Sequence, residues 1–214
     1  MNTKMFHRQL SVINEDAYSY PITVIGAGAV GGTIVLVLAK MGFNNVTVYD
    51  NDTVEIHNVP NQMYGKDHVG LSKVEALNQI TSMLTGVKIQ YKEELFGAET
   101  PVDPYTLYIS AVDSLAARRN IWKRLKGLSN LYLDTRMGLE QGSIRLIQCD
   151  DTDYEKSLDI KPSEAACTAR SIMYTPFVMA GYIGWIVKAL ANKEEIKIPS
   201  AWYLGIGGMT VEAM

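Results

Sequence analysis

"YPITVIGAGAVGGTIVLVLAKMGFNNVTVYD", residues 20–50, decides the fold. A strand-length apolar run enters a glycine-rich turn, and an apolar stretch of helix length follows, ended by Gly42. A β-branched strand then closes on Asp50. That order is a βαβ unit, whose strands are expected to be parallel with a right-handed crossover. Gly26, Gly28 and Gly31 stand in the G-x-G-x-x-G arrangement. The first permits a tight turn, the second lets backbone approach a phosphate, and the third lets helix and strand pack closely. The helix start adds free N–H groups and a partial positive charge.

Outward from this unit, helical signals return at 71–84, with Val74, Leu77, Ile80, Met83 and Leu84 on one face. Short strands are predicted at 87–91 and 107–112, then a helix from Ser114 to Leu125 capped by Ser114, with Arg118, Arg119, Lys123 and Arg124 along its exposed side. "LYLDTR" and "GSIRLIQC" read as two further strands. Residues 150–164, "DDTDYEKSLDIKPSE", are acidic and contain proline, and are expected to form a long exposed crossover or lid loop over 150–165. A mostly apolar helix begins near Tyr174, suited to burial against a sheet or another subunit. "AWYLGI" resembles a strand, Gly207-Gly208 a turn. The expected architecture is a single α/β domain over 1–214, with an N-terminal arm over 1–20. Its Rossmann-like doubly wound sheet is mostly parallel, with a C-terminal antiparallel extension.

Composition narrows the function classes. With 214 residues, 47% hydrophobic and 20% charged, the chain can bury one sizeable core. A formal net charge of −3 without a basic run argues against sequence-independent nucleic-acid binding, which replaces condensed counterions with clustered Lys and Arg. Two cysteines, Cys149 and Cys167, make neither a disulfide framework nor a four-thiolate zinc site and point to the cytoplasm. No signal-peptide core and no run of membrane-span length is present, so no membrane partner is expected.

The glycine loop and Asp50 fit NAD and ATP equally, since an acid at that distance meets a ribose hydroxyl. The next stretch favours ATP. A dehydrogenase needs only the acid there, whereas Asp50 and Asp52, His57 and Asn58, Asn61 and Gln62, then Gly70-x-x-Lys73 gather polar groups suited to a triphosphate. Lys73, near its helix start, is a point charge for phosphate oxygens, although an isolated lysine is more often solvated. His7, His57 and His68 share no metal-ligand spacing.

"HRQL" near the start, "GAGAVGG", "YDNDTVEIHN", the Gln of "PNQ", "GLSK", "SAVDSLAARRN" and "CTARSIMYTPFVMAG" follow one another in order from Arg8 to about Leu190. In these motifs the chain resembles the ThiF/MoeB/HesA superfamily, the bacterial relatives of ubiquitin-activating enzymes. The resemblance implies a homodimer that uses MgATP to adenylate a C-terminal carboxylate, on a small ubiquitin-like protein or a peptide. By the same resemblance Gly26, Gly28, Gly31 and Asp50 would hold the nucleotide, with Asp52 and Gln62 beside it, and Asn58 and Lys73 would contact phosphates. Asp113 would hold Mg²⁺ beside the reacting carboxylate. Arg8 would enter the neighbouring subunit's ATP site, and Arg118 matches a further family arginine.

Three departures qualify that likeness. Asn61 stands where most of the family has arginine, removing a phosphate-binding cation for which Arg119 or Arg136 would have to compensate. Paired CxxC motifs are absent, so no structural zinc is expected. A compact branch without an appended rhodanese-like or ubiquitin-fold domain is expected. Cys167 has two readings: a buried structural cysteine, or a thiolate nucleophile whose pKa is lowered at a helix start. Cys149 reads as core or edge filler. Beside the adenylyltransferase reading stand a non-catalytic binding subunit of the same fold, which Asn61 favours, and an NAD-dependent oxidoreductase.

Overall fold

The computed structural model describes residues 5–129, 131–148, 151–158, 172–195, 200–206 and 210–213. β1 (Ile22–Ile25) is buried along its whole length and pairs in parallel with β2 (Val46–Tyr49), in register from Ile22 opposite Val46 to Ile25 opposite Tyr49. Between them α1 (Ala29–Met41) ends at Gly42, whose φ of 94° is the left-handed cap that glycine adopts without a Cβ penalty. α2 (Lys73–Thr85) is capped by Ser72, whose Oγ accepts from Glu75 N at 3.2 Å. β3 (Gln90–Lys92) and β4 (Leu107–Ser110) then extend the parallel sheet on either side.

Ser114 caps α3 (Leu115–Leu125) as its residue type predicts, accepting from Ala117 N at 3.1 Å. β5 (Leu131–Gly138) pairs in parallel with β4 and turns into antiparallel β6 (Gln141–Gln148). After α4 (Thr152–Ser157) and α5 (Tyr174–Ala191), β7 (Ala201–Gly205) and β8 (Thr210–Ala213) complete an eight-stranded sheet of order β3-β2-β1-β4-β5-β6-β7-β8. The five strands from β3 to β5 are parallel and the last three additions antiparallel, as expected.

Each sheet face has its own core. Val24, Val48, Ile109 and Leu133 pack under Ile34, Leu38, Leu77, Met179 and Ile183, which belong to α1, α2 and α5. Ile25, Tyr108, Tyr132 and Ile147 pack on the other face under Ile121, Trp122, Leu125 and Tyr154. There the Trp122 and Tyr154 rings meet edge-on at 4.9 Å, and Tyr132 and Tyr154 at 5.6 Å, contacts worth about 0.5–1.5 kcal/mol each beyond their buried area.

Three expectations are corrected. The acidic stretch is not all loop: Asp151 accepts from the N–H groups of Asp153 and Tyr154, starting α4, and Tyr154 and Leu158 are buried because they share one helical face. Residues 159–171, including Cys167, lie outside the described residues, as does Cys149. Arg118 is not on the exposed side of α3. It is 5% exposed, on the face of Ile121, Trp122 and Leu125. On α2, Val74, Leu77 and Ile80 are buried, but Met83 and Leu84 are exposed and Thr81 and Thr85 take the inner positions.

Candidate active site

Gly26, at φ 98°, turns the chain off β1 so closely to β4 that a Cβ there would lie 2.7 Å from Ala111 O. At Gly31 a Cβ would lie 1.8 Å from Gly26 O. At Gly28 it would meet nothing within 4 Å among the described residues. Two glycines are therefore required by packing, while the middle one faces open space at the start of α1, whose first N–H groups have no partner within the helix. Tyr64, unnoticed in the sequence, braces this loop by donating to Ala27 O at 2.5 Å.

Asp50 ends β2 as expected, and the loop grips it. Its Oδ2 accepts from Ala27 N at 2.6 Å and its Oδ1 from Asp52 N at 2.8 Å. Burial pushes the Asp50 carboxyl above the usual aspartate range, against the opposite pull of those two N–H bonds and of Lys73. Lys73 is 8% exposed, so the solvated-lysine reading fails: its Nζ binds Asp52 Oδ2 at 2.7 Å. Asn58 is buried and accepts from Glu55 N at 2.8 Å, shaping the loop. Asn61 Oδ1 and Gln62 Oε1 are buried without a hydrogen-bond partner among the described residues. Both groups are where orphaned acceptors carry a desolvation cost of about 1–3 kcal/mol that a bound donor would relieve.

Asp113 is exposed just past β4, and the loop holding it is anchored from beneath. Arg118 donates to Val112 O and pairs with buried Asp134. Asp134 also accepts from Ser110 Oγ at 2.9 Å and from Arg136 Nε at 2.7 Å. Tyr132 OH donates to Ser110 Oγ at 2.6 Å, and burial drives this phenol far up. Arg119 donates to Leu158 O through Nε at 3.0 Å and Nη2 at 2.7 Å, tying α3 to the end of α4. Asp134 was missed, although an acid inside the alternating "LYLDTR" strand marks a buried polar partner.

Gly26, Gly28, Gly31, Asp50, Asp52, Asn58, Gln62, Lys73 and Asp113 thus follow the carboxyl ends of β1, β2 and β4, where neighbouring crossovers diverge and open α/β sheets bind ligands. Arg8 is elsewhere. Its neighbour Gln9 donates to Lys40 O at 2.9 Å, at the far end of α1. A thirteen-residue helix spans about 20 Å, which separates Arg8 from its own chain's glycine loop. Arg8 lines a groove of about 330 Å³ with Met41, Gly184, Trp185 and Lys188. An adjoining apolar groove of about 510 Å³ is lined by Phe177, Val178, Tyr182, Trp185 and Trp202, so one face of α5 is not covered by the described residues. No helix of the described residues is long and apolar enough to cross a membrane. No group of three or more His, Cys, Asp or Glu among them forms a metal cage.

The ThiF family model matches residues 7–211. The chain is 29% identical over 198 residues to the NEDD8-activating enzyme E1 catalytic subunit of Dictyostelium discoideum, covering 82% of this chain and 44% of that one. It is 31% identical over 184 residues to adenylyltransferase and sulfurtransferase MOCS3-1 of Zea mays, covering 83% and 38%. It therefore spans less than half the length of these relatives. Among solved structures, the microcin C7 biosynthetic enzyme MccB in complex with N-formylated MccA has a TM-score of 0.77 at 13% identity, covering 100% of this chain and 72% of that one. PaaA has a TM-score of 0.75 at 17% identity, covering 99% and 72%. These two likenesses carry the fold.

Proposed function

From the premise that this chain belongs to the ThiF family, we propose that it is a MgATP-dependent adenylyltransferase. It activates the C-terminal carboxylate of a small ubiquitin-like protein or a peptide. The observation that carries this reading is the grouping, at one sheet edge, of an open glycine loop, Asp50, a buried Lys73 and the exposed Asp113.

In the reaction a carboxylate oxygen attacks the α-phosphorus of ATP, the α–β phosphoanhydride bond breaks, and pyrophosphate leaves. Two anions approach and no proton needs to move, so oriented cations and N–H donors matter more than a general base. The first turn of α1 faces the phosphates across Gly28, and Asp50 retains lone pairs for ribose hydroxyls beyond the two that its backbone partners use. Lys73, now held by Asp52, swings or shares its charge toward phosphate oxygens. Mg²⁺ binds through one or two carboxylates together with phosphate oxygens, so an exposed Asp113 with no metal cage around it among the described residues fits it. When bound, it would neutralise charge on the transferring phosphoryl group.

A homodimer with Arg8 acting in trans completes the proposal, supported by the 20 Å-scale separation within one chain and by the apolar α5 face beside Arg8. A strictly monomeric active protein in light scattering would remove this part.

Thermal unfolding with MgATP, with ATP plus chelator and with NAD tests the site. A ligand at 100 times its dissociation constant adds about 2.7 kcal/mol. Stabilisation by MgATP is expected, and stabilisation by NAD alone would overturn the reading. The orphaned Asn61 Oδ1 in place of the family's arginine favours one second reading, a binding subunit that has lost catalysis. Nucleotide binding without pyrophosphate exchange in the presence of the acceptor would support it.

A further inference from the structure

β5 runs past its neighbour. Its last register pair with β4 is Asp134 opposite Ser110, and Arg136 to Gly138 continue beyond that edge, paired only with β6. Arg136 therefore stands on the same sheet edge as the glycine loop and Asp113, but on the far side of β4 from the nucleotide end at β1 and β2. In an adenylation the second reactant has to reach the α-phosphorus from the side that the nucleotide leaves open.

The charge there is unbalanced. Two guanidiniums, Arg118 and Arg136, share the single buried carboxylate of Asp134. Arg118 is consumed by Asp134, Ser110 and the Val112 carbonyl. Arg136 is engaged by Asp134 through Nε and also by Tyr154, and its Nη2 is buried without a hydrogen-bond partner among the described residues, while the side chain as a whole stays 31% exposed. A guanidinium fixed in this way, partly exposed and with one donor unpartnered, suits an incoming carboxylate oxygen, toward which a small turn of the side chain would aim that donor.

We propose that Arg136 is the residue that binds and orients the acceptor's terminal carboxylate beside the α-phosphate, with Asp134 and Arg118 holding it in place. This inference rests on the adenylation reading. Charge pairing would offset the repulsion between carboxylate and triphosphate, and the contact would lapse once the carboxylate becomes the acyl phosphate and its charge is gone.

The test uses glycylglycine and glycylglycinamide as probes, titrated into protein saturated with Mg²⁺ and a non-hydrolysable ATP analogue. Arginine Nε–Hε NMR signals report binding. Wild type is expected to bind the acid at least tenfold more tightly than the amide, with the Arg136 signal moving saturably. Arg136→Gln should bind acid and amide equally while keeping wild-type affinity for the nucleotide analogue, which also shows that it is folded. Equal binding of the two probes by wild type, no binding of either, or discrimination that persists in Arg136→Gln would overturn the assignment. So would a loss of nucleotide affinity in the variant, which would make Arg136 a phosphate ligand instead. Failure of wild type to bind the nucleotide analogue at all would count against adenylation itself, before any dipeptide is added.

Discussion

Replacing Gly31 and Gly28 separately with alanine splits what packing requires from what a ligand requires. At Gly31 the new Cβ would lie 1.8 Å from Gly26 O, 2.9 Å from Gly26 C and 3.2 Å from Ala111 Cβ. Two of those atoms are backbone in the tightest part of the turn, so β1 and α1 would have to part. Overpacking of this kind costs about 1–3 kcal/mol or more, and a rigid backbone obstacle places Gly31→Ala at the upper end, about 3 kcal/mol. For a chain of this size that lowers Tm by roughly 6–12 °C. At Gly28 there is no obstacle within 4 Å among the described residues and the φ of −71° suits alanine. The smaller entropy of the unfolded chain should make Gly28→Ala neutral or more stable by about 0.4–1 kcal/mol. The same methyl would occupy the space assigned to phosphate. Differential scanning calorimetry and titration with a non-hydrolysable ATP analogue read both properties. Gly28→Ala should melt no lower than wild type yet bind the analogue at least tenfold more weakly. Wild-type affinity in a stable Gly28→Ala would refute phosphate approach at this loop.

Lys73→Met keeps the buried stem and removes the charge. Its partner Asp52 is 61% exposed, so the stability cost should stay under about 1 kcal/mol, while calorimetric MgATP affinity drops at least tenfold. Asp134→Asn leaves two guanidiniums without their carboxylate and should cost about 3–5 kcal/mol in urea unfolding, and a loss under about 1 kcal/mol would show that the pairs are not formed. Asp50 should titrate above ordinary aspartates when its carboxyl carbon is followed by NMR. Because the folded protein holds that proton more readily than the unfolded chain, its contribution to stability is present below the ordinary aspartate range and is lost as pH rises through the raised value. An unshifted titration would contradict the burial of Asp50.

The βαβ core was legible because strand, turn and helix periods change abruptly at Gly26 and Gly42, and each change has one steric cause. Arg118 was misplaced for a reason that sequence can expose. A basic cluster reads as a solvated face, yet Arg118, Ile121, Trp122 and Leu125 fall at i, i+3, i+4 and i+7, the helical stripe that is buried. Tyr154 and Leu158 carry the same i, i+4 signal inside an acidic stretch whose composition suggested a loop. The grip of Ala27 N on Asp50, and of Asp52 on Lys73, depends on pairing across 21 to 23 residues and could not be read from local pattern. Asp113 was named through family motif alone, and its neighbours under the loop came from the structure.

The length of α1 has a genetic consequence. In the proposed dimer each reaction centre combines Lys73 from one subunit with Arg8 from the other, so lesions complement or poison according to how they are distributed. A mixed dimer of Arg8→Ala and Lys73→Met chains keeps one centre whole, and random equal mixing would restore roughly a quarter of wild-type turnover from two dead proteins in a two-fold assembly. A chain bearing both lesions spoils both centres when it pairs with a normal one. In a cell such an allele would behave as dominant, although the normal copy is undamaged.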